Sequence, residues 1–233
     1  MIIFRRASIA VPGTPQRIVM LGDSITAFGW YNQFAQSVEA GQIAFRAGGI
    51  PPGPFPTIVT SSTSAHIWFN SGVAGDDCIT ILAATIAARV TAYLPDIVIV
   101  FIGINCWQHL DASGHPTDAE CTTNHALILS QIKAQNPTAQ VLVIGPLCKG
   151  EQWPDGANIG QDPGINAKNA ICQSTAIAAG VDFVDLRPPF FAYEAIHNPT
   201  ELNFGILTSD GIHPIDAGRL FIGTQVLPLV GYG

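Results

Sequence analysis

Charge is scarce in this chain. Of 233 residues only 12% are charged, with ten Lys and Arg against seventeen Asp and Glu, and there is no basic run. A net charge of −7 without a Lys/Arg cluster makes nucleic acid and anionic membrane surfaces poor partners and points to a neutral substrate. No apolar run is long enough to span a bilayer. The first eight residues include Arg5 and Arg6 but no apolar stretch of signal-peptide length follows, so no secretion signal is expected and the compartment stays open. The five cysteines, Cys78, Cys106, Cys121, Cys148 and Cys172, contain no Cys-x-x-Cys pair. Their odd number argues against a complete disulfide framework, and they read as small buried apolar residues. His66, His115, His125 and His197 lack zinc-ligand spacing with cysteines or carboxylates, so neither a metal site nor a cofactor is expected. No repeat and no linker-like change of composition divides the chain, which predicts one domain over residues 1–233.

Hydrophobic residues are plentiful by contrast, at 48%, enough for a large core. Strand-like and helix-like segments alternate. Arg17 to Leu21, His66 to Asn70, Ile97 to Ile102, Val141 to Ile144 and Val181 to Val184 read as five strands. The third is an unbroken apolar run, as expected of a central parallel strand covered on both faces. Gly29 to Ala40 carries Trp30, Phe34 and Val38 at helical spacing. A second helix is expected from Asp76 or Asp77 to about Tyr93, ending before Pro95, and a third from Thr117-Asp118 to near Asn136-Pro137. A fourth covers Ile165 to Ala179 with Gly180 as its C-cap, and the last runs from Asp216 to about Leu227. The alternation predicts a three-layer α/β/α sandwich built on a mostly parallel sheet. The Pro/Gly-rich stretch Gly41 to Ser64 is either a functional loop or a surface insertion.

Four short blocks lie at or near strand ends or the final helix, on the edge where open α/β sheets place their ligands. Gly22-Asp23-Ser24 follows the first strand, and its glycine permits a sharp turn that exposes the serine hydroxyl. Gly75 lies in Val-Ala-Gly-Asp after the second strand, Gly103-Ile104-Asn105 follows the third, and Asp210-Gly-Ile-His213-Pro precedes the last helix. A serine hydroxyl attacks only if a base removes its proton, and His213 is the candidate base. Asp210, three residues upstream, can fix the imidazole tautomer and stabilise the imidazolium. Acyl transfer also needs donors for a developing oxyanion, and the Ser24 and Gly75 N–H groups with the Asn105 amide offer three.

These blocks, in this order and in this α/β alternation, resemble the SGNH (GDSL-type) hydrolase superfamily from about Arg17 to Leu227. One departure is Ile25 in place of the usual leucine after Gly-Asp-Ser. The resemblance implies a flavodoxin-like sheet of order 2-1-3-4-5, a Ser24-His213-Asp210 triad, and an oxyanion hole from Ser24, Gly75 and Asn105. It also implies an open cleft without a lid, suited to small acyl groups on a large alcohol. Unlike the α/β-hydrolase fold, the chain has no Gly-x-Ser-x-Gly around Ser24.

Around these blocks the readings are less specific. Asp23 either contacts substrate or forms the turn by accepting backbone N–H groups. Asp76 and Asp77 read as helix caps and Asp185 as structural. Trp107 and His109 either line an acyl or sugar pocket or pack, and Phe28, Trp30 and Trp153 carry the same ambiguity. The expected activity is hydrolysis of short-chain acyl esters, foremost acetyl esters of a carbohydrate or small-molecule alcohol, through an acyl-enzyme. A broader lipase, thioesterase or acyltransferase, or a glycan-binding module without catalysis, is the alternative. Oligomeric state is not legible.

Overall fold

The computed structural model describes residues 16–27, 67–81, 85–108, 116–151 and 162–230. The helix expected over Gly29 to Ala40, the stretch Gly41 to Ser64, and Phe28, His109, His115 and Trp153 lie outside them.

Strands β1 (Arg17–Gly22), β2 (Ile67–Gly72), β3 (Ile97–Phe101), β4 (Gln140–Ile144) and β5 (Asp182–Val184) form one sheet of order β2-β1-β3-β4-β5. Every pairing is parallel: Ile18 is in register with Trp68 on one side and Ile97 on the other, Ile97 with Gln140, and Leu142 with Asp182. Alternation along the strands splits the core between two faces. Ile18, Met20, Ile97, Ile99, Phe101, Leu142 and Ile144 point one way, into a cluster with Phe190, Phe221, Ile222 and Val226. Val19, Leu21, Val98, Val100, Val141, Val143 and Phe183 point the other way, toward Ile86, Val90, Ile128, Leu129, Ile132 and Ala176. All five residues of β3 are buried, which is why that strand reads as an uninterrupted apolar run.

The flanking helices are α1 (Ser24–Ala27), α2 (Ile86–Arg89), α3 (Asn105–Gln108), α4 (Asp118–Gln135), α5 (Asp162–Ala179), α6 (Arg187–His197) and α7 (Asp216–Val226). Helix α4 opens on a capping box, with the Thr117 hydroxyl accepting from Glu120 N–H and the Glu120 carboxylate from Thr117 N–H. Helix α5 ends before Gly180, whose φ of 64° is the left-handed C-cap expected of it. Helices α1 and α3 have four residues each, too few to hold without packing. Their positions are set by the sheet.

Two segments depart from expectation. Residues 76–93 do not form one long helix. Asp77 Oδ1 instead accepts from the Ile79 and Thr80 N–H groups, both at 2.8 Å, and caps a turn. Among the described residues of this segment, the helical part is the four-residue α2 and a 3₁₀ turn at Thr91–Tyr93. β-Branched Thr85, Ile86, Val90 and Thr91 weaken the helix, and Val90 leaves helical geometry at φ −129°. Asp76 is not a helix cap; it forms an ion pair with Arg89. Helix α6 was not anticipated: Pro188 and Pro189 sit in its first turn, where missing N–H groups cost nothing.

Candidate active site

Ser24 is presented where β1 turns directly into α1. Strand β1 stops at Gly22 and α1 begins two residues later. Glycine is needed at 22 for space rather than for a left-handed backbone. An added Cβ would collide with the Thr26 side chain and come within 2.6 Å of the Phe101 carbonyl oxygen, so α1 folds straight back onto the strand end. Asp23 is the N-cap, with Oδ1 accepting from Ile25 N–H at 2.9 Å. Asp23 is almost fully buried. Burial pushes its carboxyl up to about 7; the Ile25 N–H bond opposes this and the nearby Asp76 charge adds to it.

His213 and Asp210 lie 189 and 186 residues further along, in a loop clamped at both ends. Ile215 N–H bonds the Leu207 carbonyl at 2.9 Å and Ser209 N–H the His213 carbonyl at 2.9 Å. Within it, Asp210 Oδ1 accepts from the Ile212 and His213 N–H groups at 3.0 and 2.8 Å. That turn carries the imidazole back over the same carboxylate. Asp210 Oδ2 lies 2.6 Å from His213 Nδ1, and His213 Nε2 lies 2.9 Å from Ser24 Oγ. A carboxylate can only accept, so Nδ1 carries the hydrogen and the Nε2 lone pair receives the Ser24 hydroxyl. Partial burial raises the Asp210 carboxyl, but the bonds from His213 N–H, its imidazole and Ile212 N–H outweigh it and hold the group below the ordinary carboxylate range.

The other two blocks meet each other. The Asn105 amide, buried at the start of α3, donates to the Asp76 carbonyl at 2.8 Å, which joins it to the segment holding Gly75. Gly75 has φ 85°, a backbone that L side chains avoid, and an added Cβ there would meet no atom within 4 Å. The residue is exposed. Arg89 anchors the segment with Nη1 2.6 Å from Asp76 Oδ2 and Nη2 2.5 Å from the Ser71 carbonyl. Trp107 lies in α3, but its side chain is outside what the structure describes, as is His109 altogether. A cleft of about 700 Å³ opens beside His213, lined also by Pro214, Ile215 and Arg219.

Sequence reasoning missed the support beneath the Asp210/His213 loop. Glu151 is fully buried, and its Oε1 accepts from Leu207 N–H at 2.8 Å, Thr208 N–H, and the Thr208 hydroxyl at 2.6 Å. Its Oε2 accepts from Ile206 N–H at 2.7 Å. The Thr208 oxygen in turn accepts from Gly211 N–H at 3.0 Å, which passes the clamp to the turn between Asp210 and His213. A glutamate more than fifty residues from its partners leaves no sequence signal.

A parallel 2-1-3-4-5 sheet with these four blocks at its carboxyl edge is the architecture of an SGNH-type hydrolase. The chain belongs to the GDSL-like lipase/acylhydrolase family, which it matches over residues 20–219. It is therefore a carboxylic ester hydrolase. Among solved structures it is similar to the acetyl xylan esterase AlAXEase, at 23% identity and TM-score 0.73, over 92% of this chain and 99% of that one. It is similar too to LAE5, an alpha/beta hydrolase from the metagenome of Lake Arreo, Spain (22% identity, TM-score 0.68, 94% and 96% of the two chains). A third is Axe2, an acetylxylan esterase from Geobacillus stearothermophilus (19% identity, TM-score 0.67, 95% and 96%). Comparison with curated protein sequences finds no significant match. Among the described residues no helix is long and apolar enough to cross a membrane.

Proposed function

We propose that the chain hydrolyses short acyl esters, foremost acetyl esters of carbohydrates, with Ser24 as nucleophile, His213 as general base and acid, and Asp210 as the residue that orients His213. The observation that carries this reading is the hydrogen-bonded line Asp210–His213–Ser24, assembled from residues 189 positions apart. In the reaction, Ser24 Oγ attacks the ester carbonyl while His213 Nε2 takes its proton. His213 then returns that proton to the departing alcohol, leaving an acyl-serine. Water, deprotonated by the same nitrogen, releases the acid. The Ser24 and Gly75 N–H groups and the second Asn105 amide hydrogen, the one not used by the Asp76 carbonyl, stabilise the oxyanion.

The carbohydrate assignment draws on the acetyl xylan esterases among the similar structures. The open cleft beside His213 supports a bulky alcohol there. Two substrate series test the reading: p-nitrophenyl esters of rising acyl length, and acetylated xylo-oligosaccharides. The proposal expects acetyl to be the best acyl group and acetate to be released from the sugars. Rates that climb with chain length, with no release from the sugars, would replace it with a lipase-like or thioesterase-like activity on the same residues.

A further inference from the structure

Three of the five cysteines meet behind the Gly75 and Asn105 segments. Cys78, Cys106 and Cys121 are all buried, and their sulfurs lie within 4.8 Å of one another. They are 28 and 15 residues apart in sequence, which is why no ligand spacing is visible there. A cavity of about 10 Å³, room for one atom-sized occupant, is lined by these three side chains with His125, Lys168 and Cys172. His125 provides a second, independent observation. Its Nδ1 pairs with the Thr175 hydroxyl at 2.6 Å. Its Nε2 is buried and has no hydrogen-bond partner among the described residues, an arrangement that costs free energy unless something fills it.

We propose that this pocket is a zinc site, with the thiolates of Cys78, Cys106 and Cys121 as its donors and the fourth position of the tetrahedron facing the cavity that His125, Lys168 and Cys172 also line. Three thiolates and a fourth donor are a standard set for tetrahedral Zn²⁺. Zn–S bonds of about 2.3 Å place sulfurs roughly 3.8 Å apart, a small adjustment from the spacing seen. Lys168 donates to Cys121 Sγ at 3.4 Å and pairs with Asp118 at 2.6 Å. Its ammonium balances the single negative charge that three thiolates leave on Zn²⁺. Metal binding needs the thiolate forms, so it releases thiol protons to solvent. Cys106 directly follows Asn105, and Cys78 is three residues beyond Gly75, so the ion ties these two segments together.

The test is cobalt titration of the full chain, stripped of metal by a chelator and kept reduced. The proposal expects saturation at one equivalent, with the near-ultraviolet thiolate-to-cobalt band and the visible bands of a tetrahedral site, all bleached by added zinc. Cys106→Ser and Cys121→Ser should weaken the thiolate band and lower the affinity for cobalt by about tenfold or more. A folded wild-type chain without the band, or a band unchanged in both serine variants, overturns the site. If stripping unfolds the chain, metal content after growth with added zinc decides instead. About one zinc per wild-type chain and none in Cys106→Ser supports the proposal, and equal content in the two overturns it.

Discussion

Replacing Asp23 by asparagine removes a buried titratable carboxyl from beside Ser24 while keeping an oxygen for the Ile25 N–H. The wild-type carboxyl titrates at about 7 in the folded protein against 3.8 for an ordinary aspartate, chiefly because it is buried. Between those values the folded chain holds a proton that the unfolded chain has released, so stability falls as pH rises through that window. At 1.36 kcal/mol per pH unit, the loss reaches about 4 kcal/mol by pH 7. The amide of the Asp23→Asn variant has no such proton. Urea unfolding of wild type and Asp23→Asn at a series of pH values isolates this group, because every other titration is common to both. The stability of wild type relative to the variant should drop by about 4 kcal/mol from pH 4 to pH 8. A difference that stays flat with pH would show that Asp23 keeps an ordinary carboxyl and that burial beside Ser24 does not shift it.

Three further substitutions test other parts of the site. Asp210→Asn removes the acceptor that holds Nδ1–H of His213, and kcat for p-nitrophenyl acetate should fall by roughly 10³–10⁴-fold with KM little changed. Because the Asp210 carboxyl sits below its ordinary range, the stability it adds is present at neutral pH and is lost as pH falls through its folded value; Asp210→Asn should lack that acid-side loss in urea unfolding. Asn105→Ala should lower kcat by on the order of 10²–10³-fold in the same assay, the usual loss for one oxyanion donor. Glu151→Gln replaces one of the oxygens that accept from Ile206, Leu207 and Thr208. It should destabilise the chain by about 2–4 kcal/mol in urea unfolding.

The sheet was legible because its strands are short β-branched and apolar runs. Each observed strand lies within two residues of its expected bounds, and β3 announced its central place by being apolar at every position. The four blocks were legible for a different reason: each pairs a chemistry-bearing residue with a turn-forming neighbour, three of them after a strand and the fourth just before α7. What failed was local competition. The 76–93 segment has caps and helical spacing, yet Asp77 spends its carboxylate on the Ile79 and Thr80 N–H groups and the β-branched residues break the remainder. Helix α6 begins with two prolines, which look like a loop unless they are counted as first-turn residues. Glu151, Arg89 and the Cys78/Cys106/Cys121 cluster were out of reach, because their partners are brought to them only by the crossovers of the sheet.

The central claim is that the Ser24 hydroxyl is activated by His213. Labelling the folded protein with a fluorophosphonate probe, followed by mass spectrometry of the modified peptide, tests it most directly, with Ser24→Ala and a denatured sample alongside. The account predicts one phosphonyl adduct per chain, on Ser24, absent from both controls. A folded wild-type chain that stays unlabelled, or is labelled elsewhere while Ser24→Ala still turns over p-nitrophenyl acetate at the wild-type rate, would contradict it.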